Sequence, residues 1–341
     1  MLSRFKSAAR ILLKGDSKKK KRNPIPAITA AEVAEIKQFF PRQKFFLFGH
    51  ARSGTTLLMR LVRLHPEVHC NYQAHFFTRQ PLLKSLVNTP EAEEWLSRRS
   101  NRWNQGRDLS PIVLRAAADL ILERDAAKEG KRIVGDKSPS STIHGQAVRD
   151  MQAIYPDAKL VYIVRDGRDV LISERFRNLV EESKFLKAED KRIIEELRKD
   201  QIQFTDGSRS IFTESVIRRV AKGWVTNLQE TESEGRRLFG ENYHSLRYED
   251  LLEQPFAEMQ KFWNFLGVES DRSLEKTIVD EMSSNPDEEW QAKRNEDIAS
   301  FLPKGQAGNW QKLFTARDKS VFKEVAGEML VTWGYEKSGD W

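Results

Sequence analysis

Phe48-Gly49-His50-Ala51-Arg52-Ser53-Gly54-Thr55-Thr56-Leu57-Leu58 is the stretch whose reading decides the fold. It continues Lys44-Phe45-Phe46-Leu47-Phe48, a compact apolar run ended by glycine, which suits a buried parallel strand. Beyond it, Met59, Leu61, Val62 and Leu64 carry on a helical pattern. A glycine-framed loop between strand and helix turns successive backbone N–H groups toward one point, at the positive end of the helix dipole. That is an anion site by geometry.

Gly49 and Gly54 keep the Walker A spacing of glycine, four residues, glycine, but Thr55 and Thr56 stand where Lys and Ser or Thr would follow. The lysine that reaches a γ-phosphate is absent, and a cation sits inside the loop instead, at Arg52. Nucleoside-triphosphate enzymes carry the β/γ charge on that lysine and a magnesium ion. Here the hydroxyls of Ser53, Thr55 and Thr56 suit one terminal phosphate, with Arg52 reaching the bridging oxygen beside it. The plain alternative is a helix start that is merely rich in Ser, Thr and Gly.

A second constellation follows a second apolar run, Leu160-Val161-Tyr162-Ile163-Val164: Arg165-Asp166-Gly167-Arg168-Asp169-Val170-Leu171-Ile172-Ser173. Arg165 ends a strand, where open α/β sheets hold their ligands, and Ser173 lies about two helical turns on. An arginine fork with a hydroxyl makes a phosphate site. Arg-Asp-Gly-Arg-Asp also reads as a surface salt-bridge loop.

Working outward, Arg132-Ile133-Val134 and Tyr243-His244-Ser245-Leu246-Arg247 are weaker strands. Helical stretches fall near 110–128, 144–155, 167–177, 211–238, 255–267 and 317–332. Strands separated by helices imply crossovers and a parallel sheet covered on both faces. The expectation is one α/β domain over residues 28–341, with a central parallel sheet flanked by helices, behind a basic tail and linker over 1–27. Residues from about 180 to 215 are charged and weakly patterned, the mark of a lid or an insertion.

The composition, with 39% hydrophobic and 31% charged residues among 341, excludes wholesale disorder. No apolar run is long enough for a spanning helix, and Ile11-Leu12-Leu13 is too short for a secretory signal. A single cysteine, Cys70, excludes a disulfide framework and a cysteine-based zinc site, and fits a reducing, cytoplasmic compartment. The net charge of +7 hints at nucleic acid until it is divided by position. Residues 1–22 hold nine cations and one acid, leaving 48 basic and 49 acidic residues over 23–341. A nearly neutral body argues against a nucleic-acid partner. The tail, with Leu2, Phe5, Ala9, Leu12 and Leu13 on one side of a basic helix, reads as contact with an anionic membrane surface, as a solvated terminus, or as a transit peptide.

Together the two loops resemble the sulfotransferases that use 3′-phosphoadenosine 5′-phosphosulfate (PAPS), over roughly residues 44–335. In that family a Pro/Ala-Arg/Lys-Ser-Gly-Thr-Thr loop holds the 5′-phosphosulfate, a role the resemblance carries to Arg52, Ser53, Gly54, Thr55 and Thr56. A strand-ending arginine and a serine eight residues later hold the 3′-phosphate, matching Arg165 and Ser173. Leu246-Arg247-Tyr248-Glu249-Asp250-Leu251 looks like the family's Tyr-Glu-Asp-Leu segment near the adenosine, which implicates Tyr248. Pro303-Lys304-Gly305-Gln306-Ala307-Gly308-Asn309-Trp310 looks like its Arg-Lys-Gly-x-x-Gly-x-Trp segment over the 3′-phosphate. Pro303 stands where arginine is usual, so that contact falls to Lys304 and Gly305. The resemblance implies a P-loop-like fold, PAPS as co-substrate, adenosine 3′,5′-bisphosphate (PAP) as product, and no metal.

Sulfuryl transfer to a hydroxyl needs a base, positive charge on the sulfonate oxygens and a stabilised leaving group. Arg52 and Lys137 are the candidates for charge. Lys137 lies in Gly135-Asp136-Lys137-Ser138-Pro139 after a strand, where glycan sulfotransferases carry a similar Lys-Ser/Thr-Pro; otherwise it is an ordinary turn lysine. Glycan and tyrosyl-protein sulfotransferases resemble Leu64-His65-Pro66-Glu67-Val68 and then place a base glutamate where this chain has Gln73, and an amide cannot take a proton. His75 is the nearest titratable replacement, Asp136 its competitor and His50 an outsider. Phe76, Phe77, Trp95 and Trp103 either line an acceptor cleft or belong to the core. The expected function is sulfuryl transfer from PAPS to a small-molecule, lipid or glycan hydroxyl. A phosphoryl transferase on the same loop and a catalytically silent PAP-binding relative are the alternatives.

Overall fold

The computed structural model describes residues 23–79, 82–180, 186–284 and 306–341. The tail 1–22 and the Pro303-Lys304-Gly305 stretch lie outside the described residues. Five strands, β1 (Gln43–Gly49), β2 (Val68–Tyr72), β3 (Ile133–Lys137), β4 (Lys159–Val164) and β5 (Tyr243–Arg247), form one sheet in the order β2-β3-β1-β4-β5. Every neighbouring pair is parallel. Parallel neighbours cannot be joined by a tight turn, so helices carry the crossovers. These are α1 (Thr55–Val62), α2 (Ser110–Lys128), α3 (Gly145–Ile154), α4 (Gly167–Val180), α5 (Ala188–Lys199) and α6 (Glu214–Phe239). After β5 come α7 (Tyr248–Glu253), α8 (Pro255–Leu266), α9 (Leu274–Ser283) and α10 (Ala316–Thr332).

The alternation of β1 divides the core. Phe45 and Leu47 join the cluster built with α1, α8 and α9, through Leu58, Phe262, Trp263 and Ile278. Phe46 and Phe48 join the larger cluster with α2, α3, α6 and α10. Each fully buried aromatic contributes roughly 1.5–3 kcal/mol over leaving it in water. Gly135 is required inside β3 because any Cβ there would run into the Phe45 ring.

Four expected strands are present, each within a few residues of its expected bounds, but β2, Val68-His69-Cys70-Asn71-Tyr72, escapes the sequence pattern. Its polar residues are absorbed locally: His69 pairs with Glu129 at 2.9 Å, and the Asn71 amide donates to the Leu122 carbonyl at 3.1 Å. The region from about 180 to 215, expected to be a lid or an insertion, contains a packed helix among its described residues. Its helix α5 packs Ile193, Ile194 and Leu197 into the main core, and Arg175 pairs with Asp190 at 2.7 Å. Three apolar positions on one side of a charged helix suffice to dock it.

The register lines up the carboxyl ends of the strands. Leu47 and Tyr72 both pair with Lys137, Gly49 with Ile163, and Val164 with Arg247. The loops after β1, β3 and β4 therefore share one edge of the sheet. Among the described residues no helix is long and apolar enough to cross a membrane.

Candidate active site

The loop after β1 owes its shape to two left-handed residues, Arg52 at φ 74° and Gly54 at φ 83°. Gly54 is the N-cap of α1 and no side chain caps that helix, so its first N–H groups are left to the loop. Ser53 is buried, and its hydroxyl has no hydrogen-bond partner among the described residues. A buried hydroxyl without a partner costs free energy, and an anion accepting from it would remove that cost. Tyr248, at the start of α7, lies over Gly54 so closely that a Cβ would run into its ring.

The second constellation divides into two jobs. Asp166 and Arg168 form a buried ion pair at 2.6 Å, and Arg168 also pairs with Glu336 and stacks on Trp310 and Trp341, 3.6 and 4.5 Å from the ring centres. Arg165 faces the other way. Its guanidinium lies 4.7 Å from the Tyr248 ring centre and donates to the Arg52 carbonyl at 3.1 Å and the Gln306 carbonyl at 2.9 Å. Its buried Nε has no partner among the described residues. The two loops are joined directly by a 3.0 Å hydrogen bond from Arg52 Nε to Ser173 Oγ. Glu249, next to Tyr248, accepts from the Asp166 N–H at 3.0 Å and from the Tyr335 hydroxyl at 3.1 Å, which holds the second loop in place.

Lys137 ends β3 with no exposed surface, and its Nζ donates to Thr56 Oγ1 at 3.3 Å. The Tyr72 ring lies over it, 3.7 Å from Nζ to the ring centre, a contact that depends on β2 and so was not read from the sequence. Burial pulls its pKa down to about 8, against the pull of Cys70 and Asp136.

Beside Lys137 the chain makes a strained turn, with Gln73 at φ 57° and His75 at φ 53°. The adjoining strand holds it there. The Ala74 N–H donates to Asp136 Oδ1 at 2.9 Å, and the His75 N–H to Ser138 Oγ at 2.8 Å. The Ser138 hydroxyl in turn bonds Asp136 Oδ2. Both Asp136 oxygens are thus engaged in shaping the turn, and burial raises its pKa to about 6. Asp136 accepts the hydrogen bonds that shape the turn.

His75 is buried, its Nδ1 lies 2.8 Å from Thr78 Oγ1, and its Nε2 has no partner among the described residues. Burial, with the nearby charges of Arg79 and Lys137, lowers its pKa to about 4. His50 is turned inward, its Nδ1 donating to the Ala51 carbonyl at 2.8 Å. Phe76 and Phe77 belong to the core, whereas Trp95 and Trp103 are exposed and pack against each other with tilted rings, centres 5.5 Å apart. The four do not line one cleft.

The described residues bring together Arg52, Ser53, Gly54, Thr55, Thr56, Lys137, Arg165, Ser173 and Tyr248, with His75 on the turn beside Lys137. Lys304 and Gly305 lie outside the described residues. No cluster that could hold a metal occurs among the described residues.

Comparison with known proteins agrees in kind. The sulfotransferase domain family matches residues 42–334. Protein-tyrosine sulfotransferase A of Caenorhabditis elegans is 28% identical over 127 residues, covering 36% of this chain and 30% of that protein. Sulfotransferase 1 family member D1 of Rattus norvegicus is 24% identical over 177 residues, covering 49% of this chain and 53% of that protein. The matches span between 23% and 53% of the first curated relatives' own lengths. Among solved structures, mouse sulfotransferase SULT7A1 complexed with PAP aligns at 16% identity and a TM-score of 0.45, over 91% of this chain and 94% of that one.

Proposed function

Because the chain belongs to the sulfotransferase domain family, we propose that it moves a sulfuryl group from PAPS to a hydroxyl acceptor and releases PAP. The observation that carries this reading is the Arg52–Ser173 hydrogen bond, which sets an anion loop lacking the Walker lysine against a second arginine–hydroxyl site. Two fixed phosphate subsites suit a bisphosphorylated nucleoside rather than a triphosphate chain.

In this reading Ser53, Thr55, Thr56 and the N-terminal N–H groups of α1 hold the 5′-phosphate. Arg165 and Ser173 hold the 3′-phosphate, with Lys304 and Gly305 closing over it, and Tyr248 packs beside the nucleoside. Arg52 and Lys137 supply positive charge to the sulfonate and to the bridging oxygen as the sulfur–oxygen bond breaks. His75 Nε2 takes the proton as the acceptor oxygen bonds sulfur. That role requires the tautomer in which Nδ1–H donates to Thr78, leaving the Nε2 lone pair open.

The acceptor is a hydroxyl of a small molecule, lipid or glycan, and the relatives named for protein tyrosine add a phenolic side chain to the panel to be assayed. A cytoplasmic location fits the single thiol, Cys70, and the nine cations of residues 1–22 suit contact with an anionic membrane surface. Gln73 at the position of the family's base glutamate favours one second reading, a PAP-binding protein without turnover.

Thermal unfolding with PAP, against ATP plus magnesium, tests the donor site, since a ligand at a hundredfold excess over Kd stabilises the native state by about 2.7 kcal/mol. Selective stabilisation by PAP without magnesium supports the reading, and a preference for ATP with magnesium overturns it. Turnover of PAPS across the acceptor panel then separates the enzyme from the silent binder.

A further inference from the structure

Asp169 belongs to none of the roles assigned above, yet it is a fully buried carboxylate in the first turn of α4, four residues past Arg165. Its two oxygens reach across 139 and 141 residues of chain to backbone donors. Oδ2 accepts from the Gly308 N–H at 2.7 Å and Oδ1 from the Trp310 N–H at 3.2 Å. Gly308 is in the left-handed region, at φ 82°, so this stretch of backbone is turned sharply where the carboxylate grips it. Two residues before Gly308, the Gln306 carbonyl accepts from Arg165 Nη2 at 2.9 Å. The Arg165 fork therefore rests on two carbonyls, Arg52 from the first loop and Gln306 from the late segment. That second carbonyl also accepts from the Asn309 side-chain amide at 3.1 Å, and Asp169 holds the backbone on either side of Asn309.

We infer that Asp169 is a positioning residue for recognition of the 3′-phosphate: it clamps Gln306–Trp310 so that the Gln306 carbonyl holds the Arg165 guanidinium at the angle its ligand needs. The inference rests on the reading of Arg165 as the 3′-phosphate ligand. Without the carboxylate, two part-buried N–H groups lose their acceptor and the Gly308–Trp310 backbone loses the hold that helps to fix Gln306. Arg165 stays charged and present but keeps only one of its two guides. The loss falls on the part of the ligand that Arg165 reads, while the α1 loop, built by other residues, is untouched.

Calorimetric titration of the full chain, wild type and variants, with PAP and with adenosine 5′-monophosphate tests this, because the two ligands differ only in the 3′-phosphate. Asp169→Ala is expected to weaken PAP binding about tenfold or more while the monophosphate stays within about twofold. Asp169→Asn, which keeps one acceptor oxygen in the same shape, falls between and decides the matter if the alanine variant does not fold. Equal losses for both ligands, or unchanged PAP affinity, overturn the inference. A wild-type chain that does not prefer PAP over the monophosphate overturns the donor reading itself, before any variant is compared.

Discussion

Arg52 and Ser173 lie 121 residues apart in the chain and meet through a 3.0 Å hydrogen bond from Arg52 Nε to Ser173 Oγ. One follows β1 and the other lies in α4, after β4, and those strands are paired in the sheet with Gly49 opposite Ile163. The spacing of the two proposed anion subsites therefore follows a strand register. A ligand with two phosphates meets a preformed distance, which lowers the ordering cost of binding.

Arg165 is the proposed ligand of the second phosphate, and its guanidinium reaches the first loop through the Arg52 carbonyl. Arg165→Ala removes the fork and is expected to weaken PAP binding by roughly 2–3 kcal/mol, between about thirtyfold and a hundred-and-fiftyfold. Adenosine 5′-monophosphate should bind almost as before. Calorimetry reads both, and an unchanged dissociation constant for PAP would remove Arg165 from the site.

Gly54→Ala tests the loop itself. Alanine at φ 83° is strained by about 1–2 kcal/mol, and its Cβ runs into the Tyr248 ring. The expected result is a loss of roughly 2 kcal/mol or more in chemical denaturation, together with lost PAP binding. A variant as stable as wild type would mean that Tyr248 does not pack on this loop.

Much of this site was legible in the sequence, because its parts are local: a strand, two glycines, hydroxyls at fixed offsets. Arg165-Asp166-Gly167-Arg168-Asp169 invites two readings, phosphate site and surface salt-bridge loop, and the structure divides its residues between a buried ion pair and an arginine turned to the first loop. Asp166 and Arg168 pair with each other while Arg165 faces the first loop. No local pattern could have divided the residues in that way, since Glu336, Trp310 and Trp341 decide it from the far end of the chain. The strand β2 was missed for a related reason. His69 and Asn71 find their partners on α2 and just after it, so the alternation is masked by polar residues whose burial only the fold explains. Asp136 and His75 share one candidacy in the sequence, and only the turn at residues 73–75 shows that Asp136 accepts the Ala74 N–H while the buried His75 Nε2 has no partner among the described residues.

The His75 role can be separated from its packing. With a pKa of about 4 the ring is neutral across the ordinary assay range, so kcat should show no acid limb above about pH 5. Thr78→Val removes the acceptor that selects the Nδ1–H tautomer and is expected to lower kcat by tenfold or more on the scale of general-base catalysis. PAP affinity should be kept. If His75→Gln retains full turnover, the base lies elsewhere.

Asp136 predicts a dependence of stability on pH. Its pKa in the folded chain, about 6, lies above its ordinary 3.8, so the folded state binds more protons between those values. Its contribution is complete below about pH 4 and is lost as pH rises through 6. Asp136→Asn cannot titrate, so it should lack this component in denaturant melts taken from pH 4 to pH 7. The wild type should lose stability relative to the variant over that window, and parallel curves would show that Asp136 is not held as described.

Lys137 gives the opposite limb. Burial lowers its pKa to about 8 from an ordinary 10.5, so it loses its charge within reach of assay conditions. If that charge stabilises the transferring sulfonate, kcat falls as pH rises through about 8. Lys137→Ala should lower kcat with PAP affinity largely kept, as expected of a contact made in the transition state. Lys137→Arg retains a charge that does not titrate in this range, so a slower but active variant should lose the basic limb. Stability moves the other way. Between pH 8 and 10.5 the unfolded chain binds more protons than the folded one at this position, so the penalty for burying the cation is relieved as pH rises. Activity falling while the Lys137 contribution to stability improves is a signature that general alkaline unfolding would not produce. A basic limb that persists in Lys137→Arg would assign it to another group.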